Sequence, residues 1–472
     1  MFNHTLKWLL GLILFLFFIS HIYTTNKDHM WTFDESVYLR LAYQLKNSQP
    51  YSTLPLFQDA AMSGRQLPEY LARKLFIHPP LFAQMIRFSY LMLEYKDAHT
   101  SQELYTVGRF IPILSSILTL WLVYLLGSRI FNPGTALLAC FLLCLELNFW
   151  ICAQKIWIAS FLNLLVWLTI FLYLKAADNT RWYLPAGLVF GLALSAKYTA
   201  LVVLIVLGYT FVIFRRRDFK TAKPYLGLFI SLLVFIPWIQ MNYQAYGYEM
   251  FANIIHLRKI DAFYFWLPLL LIFPALLFIL NKPTVWMDKT RLTQRILPAA
   301  ALGMAAAFWG YLLLQPDVRE SFCKALTWGE YPKSGWSINF FRKEPWYFYF
   351  KQLPLYTPFH FVTFTAGLTA WKKCLQGKNS EGYTTLWICA LCSLWMGILW
   401  KNYQGRYIIV YAPAAMLIAA DAIMACFRRI NQSQDPARKY LLTGFAAVFL
   451  WLSMKSAATI YHSGILLNDA YY

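Results

Sequence analysis

The sequence predicts an all-α polytopic membrane protein with about 13 transmembrane helices, and three observations carry that prediction. Apolar runs of about 17–25 residues, the length that crosses a bilayer core, recur along the whole chain. Only 14% of the 472 residues are charged and 59% are hydrophobic, where a soluble domain carries closer to a quarter charged residues. The basic residues gather in short gaps between the apolar runs, as they do when charge fixes membrane orientation.

Taken in order, the expected spans are 8–23, 109–127, 134–152, 157–174, 183–196, 199–214, 224–243, 263–280, 296–314, 353–371, 383–400, 406–427 and 440–456. The first, behind Lys7, reads as a retained span, because no small-x-small cleavage site follows in "SHIYTT". An odd number of spans puts the termini on opposite sides. With the N-terminus in the cytoplasm, the inner gaps hold Arg129, Lys175, Arg181, Arg215, Arg216, Arg217, Lys282, Lys289, Lys372, Lys373, Arg428 and Arg429. The outer short gaps then hold little beyond Lys155, Lys197 and Lys401. The positive-inside rule selects this orientation. It leaves long outer loops over about 24–108 and 315–352, a smaller one over about 244–262, and a single integral membrane domain over 1–472.

The first outer loop carries two amphipathic stretches. Asp34–Asn47 sets Val37, Leu41 and Leu45 four residues apart, and 79–95 sets Leu81, Phe82, Met85, Ile86 and Phe88 against Gln84 and Arg87. Both read as helices lying in the interface. A span at 79–95 would reverse every later loop and put Arg215–Arg217 outside.

Composition excludes several classes. The net charge of +20 lies in the gaps between spans, and there is no glycine-rich phosphate loop or zinc-knuckle spacing, so nucleic acid is not an expected partner. The eight cysteines form no disulfide framework, and Cys389 and Cys392 read as small hydrophobes in a greasy helix.

The polar chemistry converges on one interface. "MWTFDESVYLRLAYQL" puts the acidic pair Asp34 and Glu35 at the exit of the first span. Taken alone, the pair suits a helix start, where acidic residues and Thr or Asp caps are favoured. His78 precedes a double proline that opens the second amphipathic stretch, and such an N-terminus suits an anion. Arg109 and Arg406 fall at the outer ends of their spans, where snorkelling is the plain alternative. Glu146 and Asp421 lie within spans and should face partners in the bundle. The aromatic residues of 336–356 read first as an interfacial belt.

These features also carry a resemblance. "FDESVYLRLA", "IHPPLF", "GRFIPILSSILTLWLVYLLGSRIF", "LPAGLVFGLALSAKYTAL", "FIPWIQMNYQAYG", "RKEPWYFYFKQLPLYTP" and "YQGRYIIVYAP" follow one another over nearly the whole chain. Their order resembles the polyprenyl-phosphate-sugar-dependent glycosyltransferases of the GT-C class, in the branch of protein O-mannosyltransferases and the lipid A aminoarabinose transferase. The resemblance implies a GT-C-like fold and inverting transfer of a sugar from a polyprenyl phosphate to an acceptor hydroxyl on a glycan, lipid or protein. It implies Asp34 as general base and Glu35 as its helper, orienting the acceptor or sharing a divalent cation with it. It offers His78, Arg109, Lys197, Tyr347, Tyr349 and Arg406 as ligands of the donor phosphate. The site would face the periplasm from a bacterial inner membrane, or the lumen in an endoplasmic-reticulum enzyme. The chain departs from the family at Ala159, where an aspartate is common, and at Ile77, where the lipid A branch has a glutamate. Both departures count against a fixed metal site. The rival reading is a lipid or solute transporter, which tends instead to show internal repeats and polar residues at mid-membrane.

Overall fold

In the computed structural model the described residues are 2–25, 32–57, 74–92, 101–215, 217–218, 221–247, 348–376, 379–399, 404–432 and 434–465. The expected spans 263–280 and 296–314, most of the loop 315–352, and Tyr347 lie outside them.

Among the described residues the fold is all helical. The α-helices are α1 (Phe2–Thr25), α2 (Phe33–Lys46), α3 (Leu81–Met92), α4 (Ser101–Ile130), α5 (Pro133–Cys144), α6 (Leu147–Gln154) and α7 (Ile158–Lys175). They continue with α8 (Tyr183–Ala196), α9 (Leu201–Phe214), α10 (Lys223–Tyr246), α11 (Phe348–Tyr356), α12 (Phe359–Gln376), α13 (Ser380–Leu399), α14 (Tyr411–Gln432) and α15 (Arg438–Thr459). Six helices are long and apolar enough to cross a bilayer, or seven if the bent pair α5 and α6 counts as one span. The chain is an integral membrane protein; the described residues fall short of the thirteen spans the sequence suggests.

The differences have local causes. The expected span 134–152 is two helices bent by 67°. Glu146 stands at the break, and its carboxylate accepts from Phe149 N at 2.5 Å, so it starts a new helix instead of continuing the old one. The expected span 353–371 is also two helices, α11 and α12, split at Thr357–Pro358, because a proline withholds an N–H and disfavours helix in the residue before it. The helices α8 and α9 are only 14 residues each, too short for a bilayer core of about 30 Å at a rise of about 1.5 Å per residue.

α2 and α3 form where the sequence places interfacial helices, and they pack on each other. Val37 and Leu41 are buried under α2, and Phe82, Ile86 and Tyr90 under α3. α3 has 12 residues, which agrees with lying at the interface and is too short to cross.

Small residues set the tightest helix pair. Gly187 and Gly191 of α8 face Gly227 and Ser231 of α10. A Cβ on Gly187 would run into the Gly227 carbonyl, and one on Gly191 would stand 2.8 Å from the Ser231 carbonyl oxygen. Spaced by four, such residues let two membrane helices bring their backbones together.

The end of the bundle that holds the C-terminus of α4 is laced by ions. Arg129 binds Asp178 through two nitrogens at 2.7 and 2.9 Å, Arg215 binds Glu381 at 2.5 Å, and Lys373 pairs with Asp421. Asp421 thus finds its partner. Cys389 and Cys392 are buried free thiols.

Candidate active site at the opposite end of the bundle

The N-terminal end of α4, the C-terminal end of α8 and the start of α2 meet at the other end. Two carboxylates arrive together on α2, and the fold gives them different surroundings.

Glu35 is fully buried. One oxygen accepts from Arg109 Nε at 3.0 Å and from Ile156 N at 3.0 Å. The other accepts from Thr32 N at 3.0 Å and Thr32 Oγ1 at 3.2 Å, with the Lys155 ammonium at 3.9 Å. The reach back to Thr32 is the reciprocal cap at a helix start, so the plain reading of the acidic pair holds for this half of it. Arg109 and Lys155 also show no exposed side-chain surface. Glu35 and Arg109, both expected in the site, therefore pair beneath it. A buried carboxylate is tolerated when it is paired and fully hydrogen-bonded, and this one is closed to an acceptor. Among the described residues a cation shared by Asp34 and Glu35 does not fit: Glu35 is filled by donors, and its charged partners there, Arg109 and Lys155, are cationic.

Asp34, one residue earlier, turns the other way. Its side chain is 35% exposed and pairs with Arg406 Nη1. Arg406 sits in a short 3-10 turn, Gly405–Ile408, with its guanidinium over the Trp157 ring at 4.8 Å and the Tyr407 ring at 5.4 Å. Arg406 Nε is buried and has no hydrogen-bond acceptor among the described residues. Burial works against the charge on Arg406, but the Asp34 carboxylate outweighs it and raises the guanidinium's hold on its proton.

Lys197 enters from the C-terminus of α8. Its ammonium stands over the Tyr407 ring at 4.8 Å and makes no ion pair among the described residues. Burial, and then repulsion from Arg406, push it down from 10.5 to about 8, with Asp34 acting in the opposite sense. Two cations and one carboxylate thus share a half-exposed, aromatic-walled corner.

The remaining expected ligands fall in other places. Tyr349 is buried, and its hydroxyl donates to the Gln404 carbonyl at 3.1 Å, so it holds the turn that presents Arg406. His78 is half-buried before α3, edge-on to Phe76 at 5.5 Å; Phe76 in turn meets Tyr38, one helical turn after Asp34. Ala159 is buried near the start of α7. The sequence reading did not single out Trp157, Tyr407 or Asn148. A signal existed for the first two: Trp157 follows the isolated Lys155 in an apolar stretch, and Tyr407 follows Arg406 directly.

The comparisons with known proteins concern the fold and part of the sequence. Residues 77–240 match the family described as dolichyl-phosphate-mannose-protein mannosyltransferase. No curated protein matches the chain. The fold is similar to the apo oligosaccharyltransferase of Archaeoglobus fulgidus, with a TM-score of 0.61 at 13% identity over 94% of this chain. The archaeal oligosaccharyltransferase AglB from the same organism, in complex with an inhibitory peptide and a dolichol-phosphate, gives 0.56 at 14% identity and also 94% coverage. The chain covers 56% of either oligosaccharyltransferase chain, so it spans about half the length of those relatives. Apo ArnT from Cupriavidus metallidurans gives 0.50 at 13% identity over 97% of this chain and 74% of its own. The family model matches residues 77–240 only, and the likeness to these solved structures is one of fold.

Proposed function

We propose that this chain is an inverting glycosyltransferase that moves a sugar from a polyprenyl-phosphate donor to an acceptor hydroxyl at the extracytoplasmic face of the membrane. The observation that carries the reading is the corner where Asp34 meets Arg406 and Lys197. Phosphoryl oxygens suit two cations; among the described residues Arg406 has an unused donor at Nε, and Lys197 lies over the Tyr407 ring with no ion pair. The family match names a dolichyl-phosphate sugar donor, and a structurally similar enzyme binds a dolichol-phosphate.

In this reading the acceptor oxygen attacks the anomeric carbon from the face opposite the phosphate, which inverts that centre. Asp34 takes the hydroxyl proton as the new C–O bond forms and the bond to the phosphate oxygen breaks. A placed carboxylate contributes about 10²–10⁴-fold. The departing phosphate gains charge, and Arg406 and Lys197, already in place, stabilise it. Arg406 lies on Asp34 in this structure; a phosphate draws it away and leaves the carboxylate lone pairs free for the proton. By the charge bias of the gaps, the N-terminus is cytoplasmic and the site faces the opposite side, the periplasm for a bacterial inner membrane or the lumen for an endoplasmic-reticulum enzyme. A broken span is also found in secondary transporters, but there the chemistry lies at mid-membrane, and here it lies at the bundle's end.

The test compares envelope glycolipids, glycans and glycoproteins by mass spectrometry in cells with the parent protein, without it, and with Asp34→Asn or Arg406→Ala. The expected result is one species short of a sugar mass in the deletion and in both variants, each variant inserted at the parent's level. A deletion that changes no glycan would sink the reading.

A further inference from the structure

The short helix α6 touches both halves of the candidate site. At its N-terminal end, Asn148 Nδ2 donates to the Gly405 carbonyl at 2.9 Å, across 257 residues of sequence; the next residue is Arg406. At its C-terminal end, Ile156 N donates to Glu35 at 3.0 Å and Lys155 faces the same carboxylate at 3.9 Å. Trp157 lies against Arg406 and donates its indole N–H to Thr32 Oγ1 at 3.0 Å. Thr32 and Glu35 are the cap of the helix that carries Asp34. An eight-residue helix is about 12 Å long, so one rigid piece joins the base to its arginine.

Both ends of that piece are held. A break in a membrane span exposes backbone N–H groups that hydrocarbon cannot satisfy, and Glu146 takes one of them, from Phe149. Its other oxygen lies 3.6 Å from His360 Nε2, and both side chains are buried. The His360 ring packs against Tyr411 at 5.3 Å, the first residue of α14, just beyond the Arg406 turn. The turn itself is confined. A Cβ on Gly405 would stand 2.5 Å from the Tyr356 hydroxyl and 2.8 Å from Asn148 Oδ1, and Tyr349 holds the Gln404 carbonyl. A buried amide among apolar helices persists when it finds a specific partner, and the Gly405 carbonyl is the partner that Asn148 finds.

We propose that α6 is a positioning arm of the site and that Asn148 is its positioning residue, fixing the Gly405 carbonyl and so the stance of Arg406 toward Asp34. Its consequence for the donor rests on the reading of Arg406 as a phosphate ligand. Broken spans are ordinarily read as hinges or pores; this one acts as a spacer between a carboxylate and a guanidinium.

The test uses the full-length protein in detergent, with sugar-free polyprenyl phosphate as the binding probe. Asn148→Leu keeps the number and branching of the heavy atoms and removes the donor. It is expected to weaken probe binding about tenfold, the scale of one lost hydrogen bond. Arg406→Ala is expected to weaken it at least as much, and the double variant to match Arg406→Ala alone, since the two act as one unit. Parent-like binding by Asn148→Leu overturns the proposal. So does a double variant weaker than Arg406→Ala by a further tenfold, which would mark general damage. A second readout needs no ligand. Asp34→Cys and Arg406→Cys are joined by a short bifunctional maleimide, and the linked peptides are counted by mass spectrometry with Asn148 intact or replaced. The yield is expected to fall severalfold when Asn148 is replaced, and an unchanged yield overturns the proposal. If the parent fails to bind polyprenyl phosphate, the transferase reading falls, and the crosslink yield alone still decides the positioning role.

Discussion

Replacing Glu35 with Gln changes two atoms' worth of chemistry and none of the shape. The retained oxygen still accepts from Arg109 Nε and Ile156 N, both at 3.0 Å. The new NH2 faces Thr32 N at 3.0 Å and the Lys155 ammonium at 3.9 Å, donor against donor. The swap breaks the cap of α2, worth about 1 kcal/mol. It also withdraws the Glu35 charge from two fully buried cations, Arg109 and Lys155, and stripping a partner from a buried charge costs about 3–5 kcal/mol. The lost charge term dominates; the effect on the helix dipole is below about 1 kcal/mol. At this chain length one kcal/mol moves the melting temperature by about 1 °C, so Glu35→Gln is expected to melt about 4–6 °C lower than the parent. The assay is thermal unfolding of the detergent-purified protein followed by size-exclusion fluorescence, with Arg109→Met as a companion. Because the two residues share one interaction, the double variant is expected to lose clearly less than the sum of the singles. A Glu35→Gln protein that melts within about 1 °C of the parent yet has lost sugar transfer would refute this reasoning and return Glu35 to the chemistry.

Other outcomes follow from the same geometry. The Lys197 ammonium is charged below about 8 and neutral above it, so kcat/KM for the donor is expected to fall as pH rises through that value, because this parameter reports the free enzyme. Lys197→Arg stays charged and is expected to flatten that limb; a profile already flat in the parent would count against Lys197 as a phosphate ligand. Gly187→Val forces a side chain into the Gly227 carbonyl and is expected to destabilise by at least about 3 kcal/mol, read as lost membrane-inserted protein. Gly208→Ala, where a Cβ meets open space, serves as the control and is expected to be neutral or to stabilise by up to about 1 kcal/mol.

Local rules made much of the protein legible in advance. The interfacial helices α2 and α3 showed their buried faces in the spacing of Val37, Leu41, Phe82 and Ile86, because helical periodicity is a property of a short window. The clustering of Asp34, Lys197 and Arg406 at one end followed from span order and the loop charges. The breaks at Glu146 and at Thr357–Pro358 were harder, since hydropathy averages over about 19 residues and does not register a single capping carboxylate or proline.

By itself the sequence determined the class: a helical membrane protein, with its polar chemistry gathered at one end of the bundle. Hydrophobicity, helix period and charge count are additive along a chain and need no partner. Only the tertiary structure decided the division of labour between adjacent carboxylates. Asp34 and Glu35 differ by one methylene in the sequence, but one helical step of about 100° turns one toward Arg406 at a half-open corner. The same step drives the other inward onto Arg109, Lys155 and Ile156 N, contacts separated from it by 74 to 121 residues. Which carboxylate remains open to a substrate depends on how α4, α6 and α7 pack behind α2, and no window of sequence contains all of them.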